Sequence, residues 1–103
     1  MTHKVILTPG ARQDLVQIYE YIAEKVDPLR AIGYVERIEF FCQSLTQFPE
    51  RGMRRDDLRL GLRTTGFERR ITIAFHIANK EVRIDRILYG GRNLEGMFED
   101  DDS

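Results

Sequence analysis

The sequence predicts an α+β domain, in which an N-terminal strand leads into an antiparallel helical hairpin packed on an antiparallel β-sheet meander. Two observations carry this prediction: apolar residues recur at helical spacing in the first half of the chain and alternate with polar residues in the second half. The 103 residues fit a single domain. We expect that domain to span residues 1–98, and the acidic residues 99–103 to form a disordered, solvated tail.

The first half carries the signals of a strand followed by two helices. The short apolar segment His3–Leu7 is predicted to be a strand, and it stops where Thr8 can cap a helix that starts at Pro9. Asp27 and Pro28 repeat this signal for a second helix. The short connection between the helices predicts an antiparallel hairpin. The one-sided apolar stripes of the two helices are Leu15, Ile18, Tyr19 and Ile22, then Val35, Ile38, Cys42 and Leu45.

Alternating apolar and polar residues predict three strands in the second half. We expect short connections at residues 64–66 and 78–81 to join these strands as an antiparallel meander, with the helical hairpin covering its apolar face. The apolar positions of the three strands are Leu58, Leu60 and Leu62, then Ile71, Ile73, Phe75 and Ile77, then Val82 and Ile84.

Charge is distributed very unevenly along the chain, although the net charge is −1. Residues 1–50 carry 5 basic and 7 acidic side chains, residues 51–92 carry 11 and 5, and residues 93–103 carry none and 5. Ten arginines lie between Arg51 and Arg92, and arginine favours planar contacts with carboxylates or phosphates. This region is predicted to form an interaction face. The alternative is that two strands simply expose arginines to solvent.

The composition excludes several classes of protein and site. No apolar run approaches the ~20 residues of a membrane helix, and the hydrophobic share of 42% is too high for a disordered chain. A single cysteine and the lack of a secretory signal pattern favour a reducing cytoplasm. The histidines lie apart from Cys42, which belongs to an apolar stripe, so these residues do not form a cluster of metal ligands. Gly90-Gly91 lacks the longer glycine pattern of a phosphate-binding loop. We therefore predict no metal and no cofactor.

The order of elements and a series of spaced motifs resemble the ParE/RelE superfamily of bacterial toxin–antitoxin modules, over about residues 3–98. This resemblance implies a toxin held inactive by a cognate antitoxin, whose extended or helical C-terminal segment wraps the toxin's groove and sheet edge. It also implies one of two targets, because ParE-like members trap DNA gyrase and RelE-like members cut ribosome-bound messenger RNA. The motifs are Leu7-Thr8-Pro9, Ala11, Asp14-Leu15, Ile18-Tyr19, Tyr21-Ile22, Phe48-Pro49-Glu50-Arg51-Gly52, Asp57-Leu58-Arg59, Gly61-Leu62-Arg63 and Arg86-Ile87-Leu88-Tyr89-Gly90-Gly91-Arg92.

Departures from the RelE-like pattern favour the ParE branch. Metal-free cleavage of RNA needs groups that activate the 2′-OH, stabilise the phosphorane and protonate the leaving group. Thr72 and Phe98 occupy two of the positions where the RelE-like pattern has a basic residue and a tyrosine. The resemblance therefore implies a gyrase inhibitor that is not an enzyme. The alternative is an endoribonuclease, with the set Arg63, Arg70, Tyr89 and Arg92.

Two groups of residues are predicted to contact partners, which are the antitoxin and DNA gyrase. We expect a toxin–antitoxin hetero-oligomer, an acidic amphipathic antitoxin segment, and neither a membrane nor a direct sequence-specific nucleic-acid partner. The antitoxin groove is predicted at Leu15, Ile18, Tyr19 and Tyr34. The general partner-binding set is Arg59, Arg63, Arg86, Tyr89, Arg92, Leu94, Met97 and Phe98.

Overall fold

A computed structural model describes residues 3–90 of the chain. Within this range five strands form one mixed sheet in the order β1-β5-β4-β3-β2, where β1 runs parallel to β5 and the other pairings are antiparallel. Both helices contribute to the core on this sheet, which confirms the predicted α+β class. The acidic residues 99–103 lie outside the described range. The elements are β1 Lys4–Leu7, α1 Pro9–Lys25, α2 Pro28–Ser44, β2 Met53–Arg54, β3 Arg63–Phe67, β4 Ile71–Ala78 and β5 Glu81–Tyr89.

The two helices begin at the predicted capping residues. Thr8 Oγ1 accepts a hydrogen bond from the Ala11 N–H at 3.2 Å and donates one to the Ile84 carbonyl at 2.8 Å. The Asp27 carboxylate accepts a hydrogen bond from the Arg30 N–H at 2.8 Å. Each cap satisfies a backbone donor that a helix leaves unpaired at its first turn. The Thr8 cap also ties the start of α1 to β5.

Strands β4 and β5 form where the alternation predicts them. Ile71, Ile73 and Phe75 of β4 are buried in the core. The predicted connection between the two strands is a tight turn, in which Asn79 and Lys80 have φ angles of 52° and 62°. Two successive positive φ angles are typical of a type I′ turn, whose twist matches that of the strands it joins.

The predicted strand through Leu58, Leu60 and Leu62 is wrong, because residues 56–61 form consecutive turns. The Asp56 carboxylate accepts the Gly61 N–H at 2.8 Å, and Gly61 has a φ of 83°. Leu60 is 87% exposed, whereas Leu62 is buried and Leu58 packs against it, so the three leucines do not share one strand face. Side-chain-to-backbone hydrogen bonds of this kind compete with strand pairing.

Strand β3 instead occupies the segment that was predicted as a connection. It runs over Arg63–Phe67 and therefore contains residues 64–66. Its two adjacent threonines are β-branched and suit a pleated strand. The turn to β4 falls at Glu68 and Arg69, whose φ angles are 48° and 66°.

Candidate functional site

An apolar groove, here called the hairpin groove, lies between α1 and α2 and has a volume of about 410 Å³. Val16 and Ile32 remain 49% and 46% exposed in it. Its rim carries Arg12 together with Glu36 and Glu39 of α2. The rim therefore carries two carboxylates and one arginine, whereas the acidic antitoxin segment expected from the sequence would call for a basic rim. The apolar residues of the groove are Leu7, Leu15, Val16, Tyr19, Ile32 and Val35.

The four residues predicted to form one antitoxin groove do not lie together. Leu15 and Tyr19 line the hairpin groove, but Ile18 lines a different pocket, on the other flank of α1. Leu15 and Ile18 are only 8% and 4% exposed, so both serve mainly as core residues. Tyr34 contacts Tyr89 instead. Val16 and Ile32 were missed because they lie off the regular apolar stripes that mark the core.

Two tyrosines, Tyr21 and Tyr89, line this second pocket, which has a volume of about 470 Å³, and Tyr34 contacts Tyr89. The ring of Tyr89 lies 5.4 Å from that of Tyr21 and 6.3 Å from that of Tyr34, the latter in an edge-to-face arrangement. Burial and, to a smaller degree, the neighbouring Tyr89 raise the pKa of the Tyr34 hydroxyl. Arg70 and Gly90 complete the pocket, so Arg70 and Tyr89 of the alternative endoribonuclease set meet here.

Arg63 lies far from that pocket. It pairs with Phe75 near the middle of β4, whereas Arg70 immediately precedes Ile71 at the start of the same strand. Phe75 lies five residues beyond Arg70, so at about 3.3 Å for each residue the two backbone positions lie about 16 Å apart along the strands. Arg63 donates a hydrogen bond to the Glu50 carbonyl at 2.7 Å, and its side chain is 15% exposed. Arg63 thus holds the loop that precedes β2.

Arg86, predicted to bind a partner, is engaged inside the domain. Its Nε and Nη2 donate to the Asp14 carboxylate at 2.8 and 2.9 Å, and the Ile87 N–H donates to the same carboxylate at 2.8 Å. Strand β1 accompanies β5 only as far as Ile84, so Asp14 of α1 satisfies a backbone donor beyond that point. The Asp14 side chain is only 2% exposed, and the ion pair therefore fixes α1 against β5.

The remaining predicted site residues are distributed as follows. Arg59 is exposed in the turn region between β2 and β3. Arg92, Leu94, Met97 and Phe98 lie outside the described residues. Burial raises the pKa of the Cys42 thiol to about 12, so this cysteine is a core residue without nucleophilic character at neutral pH.

The described range also contains an isolated His–Asp pair on the sheet. His76 Nδ1 lies 2.7 Å from the Asp85 carboxylate, across β4 and β5. Over residues 3–90, no group of three or more His, Cys, Asp or Glu side chains is placed to hold a metal ion. Neither α1 nor α2 is long and apolar enough to cross a membrane.

Comparison with known proteins adds to this geometry. Residues 5–94 match the family described as the ParE toxin of the type II toxin–antitoxin system parDE. Toxin ParE3 of Caulobacter vibrioides is 33% identical over 95 residues, which cover 92% of this chain and 94% of the relative. A solved chain of the chromosomal ParDE TA system from P. aeruginosa has a TM-score of 0.76 at 28% identity, covering 86% of this chain and 97% of its own. A chain of the RelBE2 toxin–antitoxin complex from Mycobacterium tuberculosis shares the fold, with a TM-score of 0.56, 21% identity and coverage of 86% and 99%.

Proposed function

This chain belongs to the ParE toxin family of type II toxin–antitoxin systems, and we propose that it inhibits DNA gyrase in the cytoplasm and is neutralised by a cognate antitoxin. The observation that carries the choice of gyrase over RNA is the separation of Arg63 from Arg70 and Tyr89, by about 13 to 16 Å of strand backbone. Acid–base cleavage requires its groups to converge on one phosphodiester. Arg70 and Tyr89 share a pocket, but Arg63 does not join them, so the described part of the set does not converge on one point, which supports a toxin that acts by binding.

The hairpin groove supports the antitoxin half of the proposal. Its floor exposes Val16 and Ile32, and an amphipathic helix can bury such residues with its own apolar face. Glu36 and Glu39 line the α2 side of the rim. A helix bound there should therefore direct basic residues toward α2, in addition to any acidic residues that face Arg12.

The choice of target can be tested with one purified preparation in two assays. We expect the protein to block supercoiling by DNA gyrase and to leave ribosome-bound messenger RNA intact, and we expect addition of the antitoxin to relieve the block. The opposite pattern, message cleavage that is lost in Arg70→Ala and Tyr89→Phe, would assign the pocket shared by these two residues to an endoribonuclease.

The antitoxin surface can be tested with a matched pair of variants on α1. Val16 lies in the hairpin groove and is 49% exposed, whereas Val26, at the C-terminal end of α1, is 55% exposed and does not line that groove. We expect Val16→Asp to weaken antitoxin binding at least about tenfold, because it places a charge in an apolar contact, and Val26→Asp to change it little. Equal affinities for the two variants would place the antitoxin elsewhere.

A further inference from the structure

The second pocket, here called the tyrosine pocket, combines aromatic rings with a guanidinium. Its volume of about 470 Å³ falls within the range of pockets that hold small ligands. Tyr21 is 48% exposed, and its ring lies 5.4 Å from that of Tyr89 at an angle of 51°. The pocket therefore presents an aromatic surface against which another flat ring can stack. Its lining residues are Gln17, Ile18, Tyr21, Arg70, Tyr89 and Gly90.

The charge at this pocket is positive. Arg70 is exposed, and over residues 3–90 no carboxylate forms an ion pair with Arg70 or with Lys25. The Lys25 ammonium lies 6.0 Å from the centre of the Tyr21 ring, so it adds positive charge on the α1 side. Within the same described range, none of the lining residues is acidic. A guanidinium has five donors, and without an acidic partner it favours a ligand that carries an anion.

The backbone at the mouth of the pocket leaves recognition to side chains. The Gly90 N–H donates to the Arg70 carbonyl at 2.8 Å, and the Arg70 N–H donates to the Glu68 carbonyl at 2.7 Å. Both donors are therefore taken, whereas an extended peptide that adds to a strand draws its affinity from such main-chain groups. The Gln17 side chain offers an amide with two donors and an acceptor, which suits the polar edge of a nucleobase.

We propose that the tyrosine pocket binds an unpaired nucleotide of single-stranded DNA. The base stacks on Tyr21 and Tyr89, and the Gln17 amide contacts its edge. Arg70 donates to a neighbouring phosphate, while Lys25 adds attraction for the strand. Aromatic stacking combined with cationic side chains is how proteins hold single strands without sequence preference. The inference rests on the proposed function, since it takes the DNA held by gyrase as the source of the strand.

Two features set this site apart from the antitoxin groove and from a cleavage site. The hairpin groove lies on the other flank of α1 and shares no lining residue with the tyrosine pocket, so the two surfaces can serve different partners. Arg63 pairs with Phe75, away from the pocket, so Arg70 and Tyr89 can hold a nucleotide without completing the groups that cleavage requires. The pocket is thus suited to hold a strand rather than to cut it.

The first test measures the binding of a fluorescein-labelled oligothymidylate to the full chain by fluorescence anisotropy. Tyr21→Ala removes the exposed ring, whereas Tyr21→Phe retains the ring and loses only the hydroxyl. We expect Tyr21→Ala to weaken binding at least about tenfold and Tyr21→Phe less than about twofold, because stacking depends on the ring. The parent chain should bind a blunt DNA duplex at least about tenfold more weakly, since the bases of a duplex must first be unstacked.

A matched pair of arginine variants tests the charge. Arg70 lines the pocket, whereas Arg30, near the start of α2, has a side chain that is 77% exposed and does not line it. We expect Arg70→Gln to weaken oligothymidylate binding at least about fivefold and to reduce the slope of log affinity against log salt by about 0.7, the value for one phosphate contact on a single strand. Arg30→Gln removes the same charge and should change both quantities little. Thermal unfolding of each variant checks that it is folded.

The outcomes separate this inference from the proposed function. If the parent chain does not inhibit gyrase, the proposed function fails, and with it the source assigned to the strand. If the parent chain inhibits gyrase but does not bind oligothymidylate, or if Tyr21→Ala and Arg70→Gln bind it as the parent does, the inference alone is wrong. Loss of gyrase inhibition in Tyr21→Ala with unchanged strand binding would assign the pocket to a protein surface of the target and overturn the inference. Preferential binding and cleavage of an RNA strand would assign the pocket to an endoribonuclease and equally overturn it.

Discussion

The ion pair between Asp14 and Arg86 offers the strongest test of how this fold is held together. Replacing Asp14 with alanine removes three hydrogen bonds, of 2.8, 2.9 and 2.8 Å, and leaves the Ile87 N–H and the Arg86 guanidinium without this acceptor. Removing one partner of a buried ion pair costs about 3–5 kcal/mol. The Arg86 side chain is 30% exposed and can regain some hydration, so we expect the lower end, about 3 kcal/mol.

A loss of this size is measurable by urea and thermal unfolding. In a domain of about 100 residues, each kcal/mol shifts Tm by about 4–8 °C, so Asp14→Ala should lower Tm by about 12–24 °C. Asp14→Asn keeps an acceptor for the Ile87 N–H but loses the charge, and we expect an intermediate loss of about 1–2 kcal/mol. Gln13→Ala, at an exposed position of the same helix, is the control. If Asp14→Ala lost less than about 1 kcal/mol, the pair would not anchor α1 to β5 and Arg86 would return to the candidates for partner binding.

Three further predictions concern stability and reactivity. Thr8→Ala removes a helix cap whose hydroxyl also donates to the Ile84 carbonyl, and it should lower the free energy of unfolding in urea by about 1–2 kcal/mol. An unchanged urea midpoint would contradict this role. Hydrogen bonds from the Arg37 guanidinium lower the pKa of the Glu68 carboxyl from 4.5. The small stabilising effect of this exposed pair is therefore present above about pH 4.5. It is lost as the pH falls through the lowered pKa. Unfolding curves of the parent chain and Glu68→Gln should therefore differ at neutral pH by no more than about 1 kcal/mol and converge in acid, whereas a gap that widens in acid would refute the sign. Cys42, with its thiol pKa raised to about 12 by burial, should resist iodoacetamide at pH 8 in the folded protein and react in urea, as followed by mass spectrometry; equal rates in the two states would show that it is accessible.

Signals that act within a few residues predicted much of this fold. The Thr8 and Asp27 caps marked the starts of both helices, and the period of the apolar residues predicted α1, α2, β4 and β5. Each such signal depends on hydrogen bonds or side-chain spacing within one or two turns, which the order of residues specifies directly. The family resemblance was carried by motifs of the same short range, and it was confirmed by the match over residues 5–94.

The candidate sites required contacts that no local pattern contains. Asp14 and Arg86 are separated by 72 residues in sequence, so their pairing depends on β5 lying beside β1 in the sheet, whereas the sequence predicted that Arg86 binds a partner. The alternating leucines at residues 58–62 likewise satisfied the strand pattern, but the turn stabilised by the Asp56 carboxylate left them without a strand partner. The amino-acid sequence by itself determined the helices, two long strands and the family, because these follow from local spacing. Only the tertiary structure decided which arginines are engaged within the domain and which exposed aromatics share a groove, because those facts depend on how distant elements pack.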